Sequence, residues 1–376
     1  MKFIDLFAGI GGFRFGMESA GHECVAFCEI DKFARASYKA IHNTEGEIEL
    51  HDITTVTDDE IRNIGHVDAI CGGFPCQAFS IAGHRRGFED TRGNLFFEVA
   101  RFASILKPKY LFLENVKGLL NHDKGDTFEV ILSALDELGY DVEWQVLNSK
   151  DFGVPQNRER VFIIGHLRGE RGRKIFPIGG NGATIDCEQP KINKVGNIRK
   201  KGKSQSGDVV SVDSLAPTLC NTTTQKDPLK ILLAGNLPGS HEQNGRVYDP
   251  EGISPTLNTM QGGDRQPKIR VREATKQGYA EASVGDSVSL SHPNSKTRRG
   301  RVGKQIANTL LTGESQGVVE PNFRIRKLTP RECWRLQGFP DWAFDKAQEV
   351  NSNSQLYKQA GNSVTVNVIE EIARCL

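Results

Sequence analysis

The sequence VDAICGGFPCQAFS, residues 67–80, joins a short apolar run to a turn that contains two glycines and a proline. The apolar run is typical of a buried strand, which the glycines are expected to end. Pro75 fixes its own φ and favours an extended residue before it, so Cys76 is expected at the rigid end of a strand. Cys71 lies inside the run and is expected to pack as a small hydrophobe, whereas Cys76 leads into a polar, basic loop. That setting suits a nucleophilic thiol, and a packing role for Cys76 is the alternative.

Strand and helix patterns alternate on both sides of this run. Further strands are predicted at residues 3–7, 24–28, 48–50, 110–113, 141–147 and 160–164, and helices at about 12–20, 94–106 and 127–138. Near the C-terminus the sequence predicts a helix capped by Thr329, a loop at residues 359–364 and a closing helix at 366–375. This order predicts an α/β fold with a doubly wound sheet. Ligands bind such sheets at the carboxyl ends of the strands, where the candidate residues fall.

Residues 171–325 differ in composition from the rest of the chain. They contain 23 Lys and Arg against 14 Asp and Glu, whereas the remainder contains 25 against 33. They hold four of the 29 aromatic residues and no Trp. We therefore predict a catalytic domain built from residues 1–170 and 326–376, and a smaller domain at 171–325. A basic module on an acidic protein suggests a polyanionic partner, and a solvated insertion is the alternative.

Cysteine usage and hydropathy exclude several classes of protein. The eight cysteines include no Cys-x-x-Cys pair, so we expect neither a metal site nor a disulfide framework. No apolar run is long enough to cross a bilayer, and the N-terminus lacks the order of a signal peptide. These features favour a reducing, cytoplasmic location without a membrane.

The glycine-rich turn after the first strand matches part of a dinucleotide-binding fingerprint. Gly9 and Gly11 fit, but the third glycine of the pattern would fall at Arg14, so a pyrophosphate site is not expected. Glu29, at the next strand end, could accept hydrogen bonds from ribose hydroxyls. Asp52, at the third strand end, could accept one from an adenine amino group. The implied ligand has adenine and ribose without a demanding phosphate, which describes S-adenosylmethionine; ordinary surface acids are the alternative.

Glu114 follows four apolar residues at the end of the fifth predicted strand. Burial there is expected to raise its pKa. A carboxyl group that keeps or shares a proton could hold the ring nitrogen of a base. A helix N-cap or an ion pair with an arginine is the alternative.

Six sequence blocks occur in the order and with the gaps found in DNA (cytosine-5)-methyltransferases of the bacterial restriction-modification type, and the chain resembles that family. The blocks are FAGIGG (7–12), PCQ (75–77), ENV (114–116), QNRER (156–160), RKLTPREC (326–333) and GNSV (361–364). The resemblance covers roughly residues 1–166 and 326–376. It implies an S-adenosylmethionine-dependent methyltransferase sheet with a smaller, β-rich target-recognition domain.

The resemblance also implies a role for each matched residue. Cys76 would attack carbon 6 of a cytosine, and Glu114 would hold ring nitrogen 3 and the amino group. Arg160, supported by Asn115 and Arg158, would position the base. The cofactor site would be lined by Phe7, Ala8, Gly9, Gly11, Gly12, Glu29, Ile30, Asp52, Ile53, Leu95 and Asn362. DNA contacts would come from Gln77, Ser80, Arg85, Arg92, Thr309 and Leu310.

A cytosine inside a duplex must leave the base stack before it can react. Residues 81–93, which include Arg85, Arg86 and Arg92, are the expected lid over the opened strand. Ala82 stands where family members often place a second serine, so a polar side chain inserted from that position is not expected.

Residues 171–325 contain three related units, LAPTL (215–219), ISPTL (253–257) and IANTL (306–310). We interpret them as strand–turn units of the β-rich recognition domain. A Thr-Leu pair beside the target base is a family feature, and Thr309-Leu310 is the candidate here. Thr256-Leu257 is an equally suggestive pair, and a role for these residues in core strands is a further alternative.

Double-stranded DNA is the expected partner of a protein with these features. We expect a monomer, and a companion restriction endonuclease that acts independently is compatible with the resemblance. A transfer-RNA cytosine-5 methyltransferase would share the chemistry, but the basic insert favours duplex DNA. A small-molecule methyltransferase would have no use for the insert. A non-catalytic DNA-binding relative would be expected to lack Cys76 or Glu114, and both are present.

Overall fold

A computed structural model describes most of the predicted catalytic domain and part of the basic segment. The described residues are 1–75, 95–170, 174–179, 269–291, 297–313, 316–321 and 325–376, with four short strands at 194–197, 208–210, 235–236 and 246–247. Several predicted features lie outside the described residues: Cys76, Gln77, Ser80, Arg85, Arg92, the 81–93 lid and the units at 215–219 and 253–257.

The largest sheet confirms the predicted doubly wound fold. Its strands are β1 (Lys2–Leu6), β2 (Glu23–Cys28), β3 (Ile48–Leu50), β4 (Ala69–Gly73), β5 (Tyr110–Val116), β6 (Tyr140–Asn148) and β7 (Glu159–Leu167). Their spatial order is β3-β2-β1-β4-β5-β7-β6. The first five strands are parallel, and β7 is antiparallel to both β5 and β6. The winding reverses between β1 and β4, the point at which such sheets bind ligands.

Helices cover both faces of this sheet because alternate strand residues point to opposite sides. The helices of the described residues are α1 (Gly12–Ser19), α2 (Lys32–Ile41), α3 (Asp58–Asn63), α4 (Leu95–Leu106), α5 (Asp126–Glu137), α6 (Pro330–Leu336), α7 (Asp341–Val350), α8 (Asn353–Asn362) and α9 (Val366–Ala373). Two 3-10 segments span Lys117–Gly125 and Ser149–Phe152. On one face Ile4 packs with residues of α4 and α5. On the other, Phe3 packs with residues of α1 and α9, and α6–α8 form a separate cluster around Trp334.

Strand β4 lies further along the chain than the apolar pattern predicts. The predicted strand was residues 67–71, but Gly72 and Gly73 belong to β4 rather than ending it. The strand lies between β1 and β5, and a Cβ at Gly72 would come within 2.9 Å of the Leu6 carbonyl oxygen. The glycine is therefore needed for close backbone approach. Strand β5 is likewise longer than predicted, because it pairs with β7 as far as Val116.

The C-terminal segment confirms two predictions and corrects one. Thr329 caps α6 in a capping box with Glu332, and α9 is the predicted closing helix. The predicted loop at 359–364 is wrong for residues 359–362, since α8 continues to Asn362, and residues 363 and 364 lie in a loop as predicted. Ala360 is fully buried in the α6–α8 cluster, and this packing extends the helix through a sequence rich in loop-forming residues.

The basic segment contributes small antiparallel sheets. Strands β8 (Lys194–Asn197) and β9 (Asp208–Val210), β10 (Gly235–Asn236) and β11 (Arg246–Val247), and β12 (Ile269–Arg272) and β13 (Tyr279–Ala282) form two-stranded sheets. Strands β14 (Ser287–Ser289), β15 (Val302–Gly303), β16 (Gln316–Val319) and β17 (Ile325–Lys327) form a four-stranded sheet in the order β15-β14-β16-β17. The β-rich character of the described part agrees with the sequence interpretation.

Contacts of the catalytic domain cross the chain near both predicted domain boundaries. Beyond the first boundary at 170/171, Ile175 and Phe176 join the core cluster under the large sheet, and their N–H groups bond the Glu143 carboxylate on β6. The second boundary, at 325/326, falls inside β17. The division into a catalytic domain and a basic domain stays a prediction, and these contacts guide where a junction between them could be placed.

Within the described residues, each helix is either too short or too polar to span a bilayer.

Candidate functional site

A cavity of about 450 Å³ opens where the carboxyl ends of β1, β2, β4 and β5 meet. Its size suits a ligand of nucleoside dimensions. The predicted cofactor residues that line it are Phe7, Gly9, Glu29, Ile30, Asp52, Ile53, Leu95 and Asn362. The predicted catalytic residues Glu114, Asn115, Arg158 and Arg160 line the same cavity. The structure thus brings both predicted sets together in one space.

The glycine-rich turn is held to the end of β2 by Glu29. One carboxylate oxygen accepts a hydrogen bond from the Gly9 N–H at 2.8 Å, and the other accepts one from the Asp31 N–H at 2.7 Å. Burial raises the pKa of Glu29, while these two hydrogen bonds lower it. Gly9 adopts a positive φ of 57°, a backbone conformation that favours glycine. The side chain of Glu29 therefore fixes the shape of the turn at the cavity wall.

Arg14 occupies the position where a dinucleotide fingerprint would have its third glycine. Its guanidinium is buried and makes two hydrogen bonds to the Glu47 carboxylate, at 2.7 and 2.8 Å. It also bonds the Asn43 carbonyl oxygen. A large paired side chain at this place agrees with the expectation that the turn is not a pyrophosphate cradle.

Three predicted cofactor residues, Ala8, Gly11 and Gly12, are not among the described residues that line the cavity. Ala8 is buried against aromatic rings of β2 and α2. A Cβ on Gly11 would collide with the His42 imidazole, and one on Gly12 would lie 2.7 Å from the Ser363 hydroxyl oxygen. These residues pack behind the turn, and their contact with a cofactor stays a prediction.

Asp52 lies near the start of the loop after β3. One of its carboxylate oxygens, Oδ1, accepts hydrogen bonds from the Thr54 N–H at 3.0 Å and the Thr54 hydroxyl at 2.7 Å. These bonds hold the carboxylate in place on the cavity wall, with Ile53 beside it.

Glu114 and Arg160 form an ion pair on the opposite wall of the cavity. Arg160 Nε lies 2.9 Å from Glu114 Oε1, and the Glu114 residue is 8 % exposed. Burial raises the pKa of Glu114, although the charges of Arg160 and Arg158 oppose that effect. The raised pKa and the arginine partner were both expected from the sequence, the second as the structural alternative. The catalytic role and the ion pair with an arginine are compatible, because Arg160 contacts one Glu114 oxygen and the carboxyl still lines the cavity.

Arg158 and Asn115 line the cavity, but their hydrogen bonds go to the backbone. Arg158 donates to the carbonyl oxygens of Leu310, Gly361 and Ser363, at 3.4, 3.2 and 2.7 Å. Burial lowers the pKa of the Arg158 guanidinium to about 9. Asn115 Nδ2 donates to the Phe74 carbonyl oxygen at 2.8 Å, which holds the chain just before Pro75. Both residues therefore hold neighbouring backbone segments in place at the cavity wall.

The sequence did not single out two further residues of the cavity wall, Lys358 and Gln359. Lys358 Nζ lies 2.7 Å from Asp31 Oδ2, and Gln359 Nε2 donates to the Phe33 carbonyl oxygen at 3.1 Å. They lie on α8, one turn before Asn362. A helical prediction for residues 353–362 would have placed them beside Asn362, but the predicted loop concealed that periodicity.

The Thr309-Leu310 pair lies against the segment that carries Arg158. The Thr309 hydroxyl donates to the Asn157 carbonyl oxygen at 2.8 Å, and Leu310 is buried in the α6–α8 cluster. This pair thus joins the basic segment to the catalytic domain, outside any strand. Its predicted contact with a target base remains a prediction.

No group of three or more potential metal-ligating side chains occurs among the described residues.

Comparisons with known proteins match the chain over almost its full length to cytosine-5 DNA methyltransferases. A family model described as C-5 cytosine-specific DNA methylase matches residues 1–376. The orphan methyltransferase M.SPRI of Bacillus phage SPR is 36 % identical over 428 residues, covering 99 % of this chain and 96 % of the phage protein. The type II methyltransferase M.HhaI of Haemophilus parahaemolyticus is 34 % identical over 376 residues, covering 99 % and 93 %. The structure of DNMT2 from Spodoptera frugiperda has a TM-score of 0.52 at 17 % identity, covering 100 % of this chain and 98 % of that one, which shows a shared fold.

Proposed function

The chain belongs to the family of C-5 cytosine-specific DNA methylases and is a DNA (cytosine-5)-methyltransferase, and from this premise we propose how its residues divide the work. S-adenosylmethionine is the methyl donor, a cytosine flipped out of duplex DNA is the acceptor, and Cys76 forms the covalent bond to the base. The observation that carries this proposal is the single cavity, lined by Glu29 and Asp52 on one wall and by Glu114 and Arg160 on the other.

The wall formed by the ends of β1, β2 and β3 fits S-adenosylmethionine. The Glu29 and Asp52 carboxylates keep lone pairs for ribose and adenine donors, and Ile30 and Ile53 offer apolar surface for a purine ring. The large Arg14 side chain at the third fingerprint position suits a cofactor without a pyrophosphate. When bound, the cofactor supplies an electrophilic methyl group.

The opposite wall acts on the cytosine. An unperturbed thiol with a pKa of about 8.5 is only about 3 % thiolate at neutral pH, so Cys76 benefits from nearby positive charge. The thiolate adds to carbon 6, and the electron pair of the 5,6 double bond makes carbon 5 nucleophilic. Glu114, whose pKa is raised by burial, donates its proton to ring nitrogen 3 and offsets the negative charge that develops there. Once carbon 5 carries the methyl group, loss of the carbon 5 proton, expulsion of the thiolate and return of the nitrogen 3 proton to Glu114 restore the aromatic ring.

Arg160 keeps the Glu114 carboxyl in place through the 2.9 Å contact between its Nε and Glu114 Oε1, which leaves the other oxygen to carry the proton, and Arg160 can also reach the base. Arg158 and Asn115 act indirectly, because the Arg158 Nη1 and Nη2 groups and Asn115 Nδ2 donate to backbone carbonyl oxygens. The proposal thus retains all four predicted residues, with Arg158 and Asn115 in the supporting roles that the resemblance implies.

Duplex DNA is the proposed partner, read by the basic segment, with Thr309 and Leu310 near the target base. Lys and Arg in such a segment contact phosphates, while a few side chains read base edges. We propose a monomer in the cytoplasm. A companion restriction endonuclease fits the proposal because the similar protein M.HhaI is a type II methyltransferase, and the orphan type exemplified by M.SPRI is the other possibility.

The test compares two substrates with a radiolabelled methyl donor. Wild-type protein should label duplex DNA at 5-methylcytosine, identified after nuclease digestion, and should leave transfer RNA essentially unlabelled. Preferential labelling of transfer RNA would favour the RNA-directed alternative. Label in neither substrate, from protein that binds the cofactor, would favour a non-catalytic relative.

A further inference from the structure

Residues 307–310 of the basic segment dock on residues 155–158 of the catalytic domain. The Ala307 N–H donates to the Pro155 carbonyl oxygen and the Asn157 N–H donates to the Ala307 carbonyl oxygen, both at 2.8 Å. These bonds accompany a parallel bridge between Gln156 and Ala307. The Thr309 hydroxyl adds a third bond, to the Asn157 carbonyl oxygen. The path of the chain through Thr309 is thus set by the segment beneath it.

Leu310 ends this docked stretch, and buried side chains satisfy both of its backbone polar groups. Gln156 Oε1 accepts a hydrogen bond from the Leu310 N–H at 3.1 Å, and Arg158 donates to the Leu310 carbonyl oxygen. Leu310 is 4 % exposed and Gln156 is 0 % exposed. Water cannot replace a lost partner here, so the Leu310 N–H depends on Gln156.

The orientation of the Gln156 amide is fixed from its other end. Gln156 Nε2 donates to the Leu336 carbonyl oxygen at 2.8 Å, at the last residue of α6. A flipped amide would set its NH₂ group against the Leu310 N–H and its oxygen against the Leu336 oxygen. Both contacts would be repulsive, so one amide orientation survives.

The end of α6 is itself anchored by the next residue. Gln337 is fully buried; its Nε2 donates to the Ala360 carbonyl oxygen at 2.7 Å, and its Oε1 accepts the Thr365 hydroxyl at 2.9 Å. Thr365 is the N-cap residue of α9, yet its hydroxyl makes no bond to that helix. A side chain of a capping type is therefore used to hold Gln337. Gln156 consequently ties Leu310 to a rigid point shared by α6, α8 and α9.

We propose that Gln156 is a positioning residue for the DNA substrate, which acts by seating Thr309 and Leu310 beside the catalytic cavity. This inference rests on the proposed function, since it takes the docked stretch to face the target base. Glu29 and Asp52 lie on other elements, and their carboxylates accept hydrogen bonds from Gly9, Asp31 and Thr54. Loss of Gln156 should therefore affect DNA and spare the cofactor.

The main test replaces Gln156 by Met, which has similar volume and no hydrogen-bonding amide. The Leu310 N–H loses its buried partner, and we expect the KM for duplex DNA to rise about tenfold. The dissociation constant of the cofactor, measured by calorimetry, should stay within twofold. Wild-type protein is assayed alongside, so failure of wild type to methylate duplex DNA would count against the proposed function rather than against this role of Gln156.

Gln359→Met is the matched control. Gln359 is also buried, and its amide also bonds two partners, the Phe33 carbonyl oxygen and the Ser37 hydroxyl. It lines the cofactor side of the cavity. We expect the opposite pattern, with weaker cofactor binding and a DNA KM within twofold. Equal effects of both variants on DNA and cofactor would show general loosening of the core and would overturn the proposal.

A double-mutant cycle with Thr309→Val provides the second readout. Thr309 is half-buried, so this variant should fold even if Gln156→Met does not. If Gln156 acts through the docked stretch, the two changes raise the DNA KM by less in combination than the product of their separate effects. Multiplicative effects would overturn the proposal. An unchanged DNA KM in folded Thr309→Val would also overturn it, whatever the behaviour of the Gln156 variant.

Discussion

Three carboxyl groups near the site, of which Asp5 and Glu114 are buried and Glu29 is partly buried, offset the cost of desolvation in different ways. Glu29 accepts backbone N–H groups with both oxygens, and Glu114 is paired with Arg160. Asp5, on β1, is fully buried; Tyr38 lies 3.5 Å from one oxygen, and the other oxygen has no partner. An uncompensated buried carboxylate is expensive, so Asp5 favours its neutral form. Carboxyl groups thus serve here to hold the glycine-rich turn, to act as a catalytic acid and to fill the core in neutral form.

Glu29→Ala should weaken cofactor binding by roughly ten- to a hundredfold, since it removes the ribose acceptor and leaves two N–H groups unpaired. Isothermal calorimetry measures the affinity. Glu23→Ala is the control, because Glu23 is an exposed carboxylate at the start of the same strand and should bind the cofactor like wild type. An unchanged affinity in Glu29→Ala would remove this residue from the cofactor site.

Asp5→Asn should stabilise the protein, and more so as the pH rises. Burial raises the pKa of Asp5 well above its usual value, against the opposing charge of Arg14. The folded state therefore binds more protons than the unfolded state above about pH 4, and stability falls as the pH rises through the folded pKa. Asparagine does not ionise. We therefore expect the gain in unfolding free energy over wild type to be larger at pH 8 than at pH 4.5.

Denaturant unfolding of wild type and Asp5→Asn at pH 4.5, 6 and 8 measures this effect. The difference in unfolding free energy between the two proteins should widen steadily across the series. A constant difference would mean that Asp5 is ionised in the folded state, stabilised by Arg14.

At the scale of elements, the contact between α1 and α9 decides how the glycine-rich turn meets the C-terminal segment. A Cβ on Gly16 would lie 2.6 Å from Ile369 Cβ and 2.7 Å from the Glu370 nitrogen. The two helices therefore pack with almost no space between their backbones. Because α1 begins just after the turn and α9 follows Asn362 closely, this contact also sets the cavity shape.

Gly16→Ala should lower the free energy of unfolding by about 1–3 kcal/mol, because the added methyl group has no room beside α9. The urea midpoint measures the loss. Gly118→Ala is the control, since the nearest atom to its Cβ would be 4.0 Å away. If both variants unfold at the same midpoint as wild type, α1 and α9 can separate without cost.

Elements with a strong local signal were predictable, and those set by tertiary contacts were not. The capping residues Thr329 and Glu332 predict the start of α6, and short apolar runs predict the strands of the sheet. The sequence predicts that Gly72 ends the strand, yet pairing with β1 on one side and β5 on the other keeps it in β4. The end of α8 reads as a loop, but burial of Ala360 outweighs the weak helix propensity of Gly361 and Asn362.

The candidate site shows the same division. Motif residues such as Glu29, Glu114 and Arg160 reach the cavity because strand ends converge there. The roles of Arg158 and Gln156 depend on carbonyl and N–H groups more than 150 residues away in sequence, and local patterns carry no information about such partners.

At the scale of the whole molecule, the catalytic residues and the basic segment are separable in sequence but joined at the stretch 307–310. The proposed target specificity lies in that segment, so replacing residues 179–327 with those of a relative that methylates another sequence should redirect methylation. These limits keep Ile175 and Phe176 with the large sheet and keep β17 intact. Bisulfite sequencing reads the outcome.

A second chimaera, joined at 170/171 and 325/326, serves as the control for these limits. It replaces the chain beside Glu143 and divides β17, so it should unfold at a lower temperature than the first. Methylation of the parent sequence by an active chimaera of either kind would place specificity outside the basic segment.

The central claim is that Cys76 adds to a cytosine held in the cavity, and trapping with 5-fluorocytosine tests it most directly. Fluorine at carbon 5 cannot leave as a proton does, so duplex DNA with this base at the target should stay covalently bound when S-adenosylmethionine is present. Intact-mass measurement should give the mass of protein plus DNA plus one methyl group, and peptide mapping should locate the bond at Cys76. Cys71 is fully buried, and burial raises the pKa of its thiol well above the usual value. Cys76→Ala should therefore form no adduct; an adduct in that variant, or one mapped to Cys71, would contradict the account.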